Sequence, residues 1–122
     1  MNNPATISLR PAEVHFMDLV QGDDLNFTVA LTDDAGAPVN VAADDFKMQI
    51  RRADNSVVKT LSKGNGITII SSNTIYGSMP GTDTAALDPD YTYNYDIQWT
   101  ISGSLVRTIV TGRIKAYKQI TV

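Results

Sequence analysis

The sequence predicts an all-β domain, an immunoglobulin-like antiparallel β-sandwich of seven to nine strands. From Tyr91 to Trp99, large apolar or aromatic residues stand at every second position with polar residues between them. Only a strand with one buried face gives this period of two, and it recurs over 25–31 and 46–50. No segment shows convincing helical periodicity, which favours a sandwich over an α/β fold; a small β-barrel is the structural alternative.

Turn-forming residues divide the first half of the chain into four candidate strands. Gln21-Gly22-Asp23 forms one turn, and Asp33 to Pro38 combines two acids with Gly and Pro in another. We expect the crossing loop that follows to place Val41 and Ala42 against the core. The strands expected from these breaks cover residues 7–9, 13–20, 24–32 and 46–52.

The second half continues the same pattern of short strands and turns. Ala53 to Ser56 closes a hairpin, and 80–90 is a loop in which we expect a helical turn near 82–87. Gly112 interrupts the last strand, which predicts a bulge or bend there. The expected strands cover residues 57–61, 67–70, 74–79, 91–100 and 105–111, the last continuing toward 120.

The length of 122 residues fits one domain, with enough buried surface for an independent core. We expect residues 1–10 to be a flexible N-terminal arm and residues 11–122 to be a single β-sandwich domain. No apolar run is long enough for a signal segment or a membrane span, so we expect no membrane partner and synthesis in a cytoplasm.

Charge and cysteine content exclude several classes of function. The net charge of −3 and the pI of about 4.8 argue against nucleic-acid binding, which depends on cationic neutralisation of phosphates. The absence of cysteine excludes disulfides, a thiolate nucleophile and a zinc–sulfur site.

The sequence contains almost none of the residues and motifs that catalysis requires. His15 is the single histidine, and a surface or rim position is the preferred interpretation over a base or a metal ligand. No Gly-x-Ser-x-Gly motif or phosphate-binding glycine loop is present, and Glu13 is the single glutamate. We therefore expect no enzymatic activity and no cofactor. A hydrolase would require a cleft near His15.

Adjacent aspartates are the best chemical candidates in the chain, because calcium prefers clustered oxygen ligands. If the strands alternate up and down, the loop 32–45 lies at one end of the domain, opposite the turns near 22 and 54 and the loop 80–90. The calcium candidates at that end are Asp33, Asp34, Asp44 and Asp45. Turns that hydrogen-bond to the aspartates are the preferred explanation of the pattern.

Charge is distributed unevenly along the chain. From Arg107 to the end the chain carries four basic residues and no acid, whereas residues 11–45 carry eight acids and no Lys or Arg. These regions can complement each other within a subunit or between neighbours. The alternative, which we favour, is that the basic residues protect an exposed edge strand against aggregation.

The aromatic residues of 91–99 allow two interpretations. They can form a sugar-binding platform or part of the sandwich core, and their shared face with Ile97 favours the core. A tyrosine near the start of a late strand is also what a tyrosine corner requires.

Several stretches in order resemble the N-terminal domain of phage baseplate upper proteins and related immunoglobulin-like tail or head accessory proteins. The matching stretches, spread over about residues 20–118, are Gln21-Gly22-Asp23-Asp24-Leu25, Asp34-Ala35-Gly36-Ala37-Pro38-Val39-Asn40-Val41, Phe46-Lys47-Met48-Gln49-Ile50-Arg51, Thr84-Ala85-Ala86-Leu87, Tyr93-Asn94-Tyr95-Asp96-Ile97-Gln98 and Arg107-Thr108-Ile109-Val110-Thr111-Gly112-Arg113-Ile114. The resemblance implies a domain that binds other virion components and has no catalytic residues. Baseplate upper proteins usually continue into a long C-terminal region, whereas this sequence ends at Val122, so a stand-alone accessory protein is the other form that the resemblance allows.

The expected function is therefore that of a bacteriophage virion structural or assembly protein, an accessory or adaptor module of tail, baseplate or head. We expect other virion proteins as partners, a homo-oligomer, and strand addition by residues 1–10 of a neighbour. The expected contact residues are Ile7, Leu9, Arg107, Arg113, Lys115, Tyr117 and Lys118. The alternative is a carbohydrate-binding adhesion module, assisted by calcium or not.

Overall fold

Nine β-strands and one short helix are formed by residues 12–33, 35–101 and 105–118, which are the residues that this computed structural model describes. The all-β prediction with seven to nine strands is confirmed. The expected strand at 7–9 lies outside the described residues. The elements are β1 (Ala12–Glu13), β2 (Phe16–Val20), β3 (Leu25–Ala30), β4 (Asp45–Arg51), β5 (Val57–Lys63), β6 (Gly66–Ser71), β7 (Thr74–Met79), α1 (Gly81–Thr84), β8 (Thr92–Ile101) and β9 (Leu105–Tyr117).

The strands form one sheet that curls into two layers. Its order is β1-β9-β8-β4-β5-β6-β7-β3, and β2 also pairs with β9. Most neighbours are antiparallel, but β1 and β2 run parallel to β9, and β5 joins β6 through only two parallel residue pairs. The rings of Phe16 in β2 and Phe27 in β3 lie 5.7 Å apart although their strands are at opposite ends of this order. The two ends of the sheet therefore face each other in an immunoglobulin-like sandwich.

The core lies between the layers and follows the alternation that the sequence predicted. On β8, Tyr93, Tyr95 and Trp99 are buried, so their assignment to the core is confirmed. The same assignment is wrong for Tyr91, which precedes the first residue of β8 and is 57% exposed. Tyr95 and Trp99 are paired across the ladder with the buried Ile50 and Phe46 of β4, and Tyr93 is paired with the buried Ile114 of β9. The other layer contributes buried residues that include Leu25, Ile67, Ile75 and Met79.

The loops at one end of the sandwich meet as expected from alternating strands. The Gln21 amide donates to the carbonyl oxygen of Leu87 at 2.7 Å, and the Gly22 N–H donates to Thr84 Oγ1 at 3.0 Å. In the same loop, the Tyr93 hydroxyl accepts a hydrogen bond from the backbone N–H of Asp88 at 2.8 Å. A tyrosine that reaches back a few residues to the backbone at the start of a late strand is the tyrosine corner of immunoglobulin-like sandwiches, so this expectation is confirmed.

Two further details of the prediction are wrong. Val41 is fully buried as expected, but Ala42 is exposed. Gly112 is not a bulge, because it pairs in register with Tyr95, and the register shift in β9 lies further back at Ile109. A side chain at Gly112 would place its Cβ 1.7 Å from the carbonyl oxygen of Val14, so the glycine allows close passage of the segment that joins β1 to β2.

Candidate functional site

One strand edge is unpaired over part of its length. β1 and β2 cover the outer edge of β9 from Val110 to Tyr117, whereas no strand of the described residues pairs with that edge between Leu105 and Ile109. Leu105 and Val106 are 62% and 57% exposed. Unpaired backbone groups beside exposed apolar side chains can accept a strand from another chain. We call residues 105–109 the open edge.

The expected contact residues of the last strand differ in their environments. Arg113, Tyr117 and Lys118 are exposed. Lys115 is half-buried, donates to the carbonyl oxygen of Pro89, and has its Nζ 5.7 Å from the centroid of the Tyr117 ring. Ile7 and Leu9 lie outside the described residues.

Arg107 is placed differently from an ordinary surface arginine. The bulge at Ile109 reverses the alternation of β9, so Arg107 stands opposite the buried Trp99. Its Nη1 is buried and has no hydrogen-bond partner among the described residues. Strict alternation in the sequence gives no sign of this reversal.

The acidic early region and the basic last strand form no ion pair with each other among the described residues. The ion pairs there join His15 to Glu13 at 3.5 Å and Lys59 to Asp83 at 2.9 Å. Complementarity within the subunit is therefore not found in this part of the chain.

A polar hollow of about 330 Å³ lies on the outer face of β4, β8 and β9, open to solvent. The outward positions of the three strands form its floor, and residues beside β1 and in the β4–β5 turn form its walls. Its lining consists of Glu13, His15, Gln49, Arg51, Asn55, Asn94, Tyr95, Asp96, Thr111, Gly112 and Arg113. This site was not predicted from the sequence.

His15 lies at the rim of this hollow, with 39% of its side chain exposed, as its preferred interpretation predicted. Its Nδ1 accepts a hydrogen bond from the backbone N–H of Arg113 at 3.1 Å, where the ladder between β1 and β2 is interrupted. The imidazole therefore fastens the β1–β2 connection to β9.

Tyr95 forms the second fastening of that connection. Its hydroxyl donates to the carbonyl oxygen of Val14 at 2.6 Å, and burial raises the pKa of Tyr95 to about 12. The backbone N–H of Val14 donates in turn to the carbonyl oxygen of Thr111 at 2.9 Å. The wall of the hollow is thus fixed to its floor.

The calcium candidates are engaged in the fold or stand apart. Asp33 Oδ1 accepts the backbone N–H groups of Ala35 and Ala37, both at 2.9 Å, and Asp44 Oδ2 accepts Trp99 Nε1–H at 2.9 Å. Asp45 is exposed at the start of β4, and Asp34 lies outside the described residues. No group of three or more His, Asp or Glu residues in the described part of the chain is arranged to hold a metal ion.

The comparisons with known proteins add little beyond this geometry. No protein-family model and no curated protein matches the sequence. A chimeric titin fragment with an exogenous decorin peptide is 16% identical over 94% of this chain and 98% of its own, with a TM-score of 0.47. A fragment from the I-band of titin is 13% identical over 97% of this chain and 34% of its own, with a TM-score of 0.43. The assignment to the immunoglobulin-like class depends on the strand order and the tyrosine corner rather than on these likenesses.

Among the described residues, no helix is long and apolar enough to cross a membrane.

Proposed function

We propose that this chain is a structural assembly module of a bacteriophage particle, an accessory or adaptor of tail, baseplate or head. In this role it binds other virion proteins and further copies of itself, and it catalyses no reaction. The sequence stretches that resemble phage tail and head accessory domains, and their order along the chain, support the assignment to a phage particle. The open edge supports docking by backbone pairing.

The open edge is the observation that carries the proposal. Backbone N–H and C=O groups that are unpaired beside apolar side chains gain hydrogen bonds and lose exposed surface when another strand is added. Residues 1–10 are the proposed added strand. In the sequence of this segment, Ile7 and Leu9 stand two residues apart with the polar Ser8 between them. Ile7 and Leu9 then supply an apolar alternation at the edge.

The hollow gives no support to a hydrolase. The Nδ1 of His15 is occupied by the Arg113 N–H, and Nε2 faces the exposed carboxylate of Glu13. Its lining contains no serine or cysteine to act as a nucleophile. Hydrolytic activity that disappears in His15→Ala while the fold is retained would contradict the non-catalytic assignment.

A carbohydrate-binding module is the weaker candidate, because it requires a solvent-facing aromatic platform. Tyr93, Tyr95 and Trp99 are buried, which leaves Tyr91 as the exposed member of that group. Specific binding on a glycan array, with or without a chelator, would favour this candidate over assembly.

Two measurements test the assembly role. Mass spectrometry of particles purified after prophage induction should find the chain at a fixed stoichiometry to the tail or head proteins.

Multi-angle light scattering should find a defined oligomer that is lost on deletion of Met1–Arg10 and in Val106→Lys. The exposed Val57 on β5 provides the matched control, and Val57→Lys should retain the oligomer. The proposal would be contradicted if the chain is absent from particles. It would also be contradicted if the full chain is already a monomer, so that the deletion does not change the oligomeric state.

A further inference from the structure

Two arginines flank an asparagine in one row across the floor of the polar hollow. In the ladder, Arg51 of β4 stands opposite Asn94, and Asn94 stands opposite Arg113 of β9. Because Tyr93 and Tyr95 point into the core, Asn94 and its two neighbours lie on the outer face. With strands roughly 4.8 Å apart, the two arginine backbones are about 10 Å apart, a span that both side chains can reach across.

Neither guanidinium group has an acidic partner in the described part of the chain. The ion pairs found there involve His15 and Lys59. Arg51 donates one hydrogen bond, from Nη2 to Gln49 Oε1, and its Nε is buried without a partner. A buried donor without an acceptor is costly, so a rotation of the Arg51 side chain that brings Nε to an acceptor in the hollow would remove that cost.

The chemistry of this row fits a carboxylate. Guanidinium groups present parallel N–H donors that match the two oxygens of a carboxylate, and the amide of Asn94 adds a donor between them. The hollow of about 330 Å³ is at the small end of ligand sites, which suits one side chain better than an extended molecule.

We propose that the hollow binds an Asp or Glu side chain of a protein partner through Arg51, Asn94 and Arg113. This inference deepens the proposed function and depends on it, because it states the chemistry by which the assembly module recognises its partner. The site lies on the sheet face, separate from the open edge of β9.

Two acids of the hollow set the expected strength of binding. Asp96 lies two residues along β8 from Asn94, in the next row between Gln49 and Thr111, and Glu13 stands at the wall. Both carboxylates repel an incoming one. A single peptide carboxylate should therefore bind in the millimolar range, and removing the charge of Asp96 should tighten its binding about threefold at a separation of roughly 7 Å.

The test follows backbone and arginine side-chain NMR signals of the full chain during titration with a capped Gly-Glu-Gly peptide. The matched peptide is capped Gly-Gln-Gly, which should not bind. Arg51→Gln and Arg113→Gln should each weaken binding at least fivefold, whereas Asp96→Asn should tighten it. Arg52→Gln is the control, because Arg52 is exposed but does not line the hollow. The dispersion of the signals reports folding, and the exposed Arg113 provides a second variant if Arg51→Gln does not fold.

Equal binding of the glutamine peptide, or unchanged affinity in both arginine variants, would overturn the proposal. If glucuronate binds ten times more tightly than the glutamate peptide, the site belongs to an acidic sugar. The proposal of a protein partner is then overturned. If the chain is found in particles but the peptide does not bind, this inference fails and the assembly role stands. Binding by a chain that is absent from particles would retain the carboxylate site and refute the assembly role.

Discussion

Replacing Tyr93 by phenylalanine removes one oxygen atom and tests whether the tyrosine corner stabilises this fold. The Tyr93 ring is 1% exposed and remains buried in the variant, so the change in apolar burial is small. The contact that is lost is the 2.8 Å hydrogen bond from the Asp88 N–H to the hydroxyl, which leaves that donor partly buried without its acceptor. A lost partner of this kind costs about 1–3 kcal/mol.

This cost is a measurable share of the total stability. A domain of this size is stable by roughly 6–18 kcal/mol, and 1 kcal/mol shifts its melting temperature by roughly 3–6 °C. We therefore expect Tyr93→Phe to lower the urea midpoint with an unchanged m-value and to lower Tm by roughly 3–18 °C.

Tyr91 supplies the matched control, because it lies two residues earlier and is 57% exposed. Tyr91→Phe removes the same atom where water already solvates the hydroxyl, so its free energy of unfolding should stay within about 0.5 kcal/mol of the wild type. If Tyr93→Phe falls within the same limit, the corner is not a stabilising contact and the reasoning is refuted.

Three further predictions concern stability. Because the pKa of Tyr95 is about 12 in the folded chain and 10 in the unfolded one, the unfolded state loses its proton first. The stabilisation present below pH 10 is therefore lost between pH 10 and 12, by roughly 1–2 kcal/mol after allowance for the solvent beside the hydroxyl, and the urea stabilities of wild type and Tyr95→Phe should converge over that range. Gly112→Ala forces its Cβ against the Val14 carbonyl and should cost about 3 kcal/mol or release residues 12–20, which hydrogen exchange would detect; protected amides at full stability would contradict this. A double-mutant cycle on Lys59 and Asp83 should give a coupling of about 1 kcal/mol or less, since water still reaches both side chains of this 2.9 Å pair, which are about one-third exposed, and a larger coupling would show a desolvated pair.

The strands were predictable wherever one face is buried without interruption. β8 was predicted with nearly its observed bounds, because every second residue from 93 to 99 is a large core residue. The same argument failed for the environment of Arg107. A single bulge at Ile109 reverses which face each residue occupies, and nothing in the residue types of that segment signals it.

The polar hollow was beyond sequence reasoning for a related reason. Its central row joins Arg51, Asn94 and Arg113, which are distant in the chain and become neighbours only through the exact pairing of three strands. From its own strand alone, each of them is predicted to be an ordinary solvent-facing residue. An outward-facing polar position on each strand is the signal that was available, but the sequence does not give the register that aligns the three.

The segment that joins β1 to β2 determines how much of β9 remains available for docking. It is fastened by the Arg113 N–H on His15 and the Tyr95 hydroxyl on the Val14 carbonyl, and the absence of a side chain at Gly112 allows its close approach. These contacts convert β9 from an edge strand into an inner strand from Val110 onward, and within β9 they leave the open edge without a partner strand among the described residues. None of them involves residues 1–10. Deletion of Met1–Arg10 should therefore leave the free energy of unfolding of a monomer nearly unchanged when these residues add to a neighbour, and should lower it when they pair within their own subunit, so urea unfolding at low concentration separates the two arrangements.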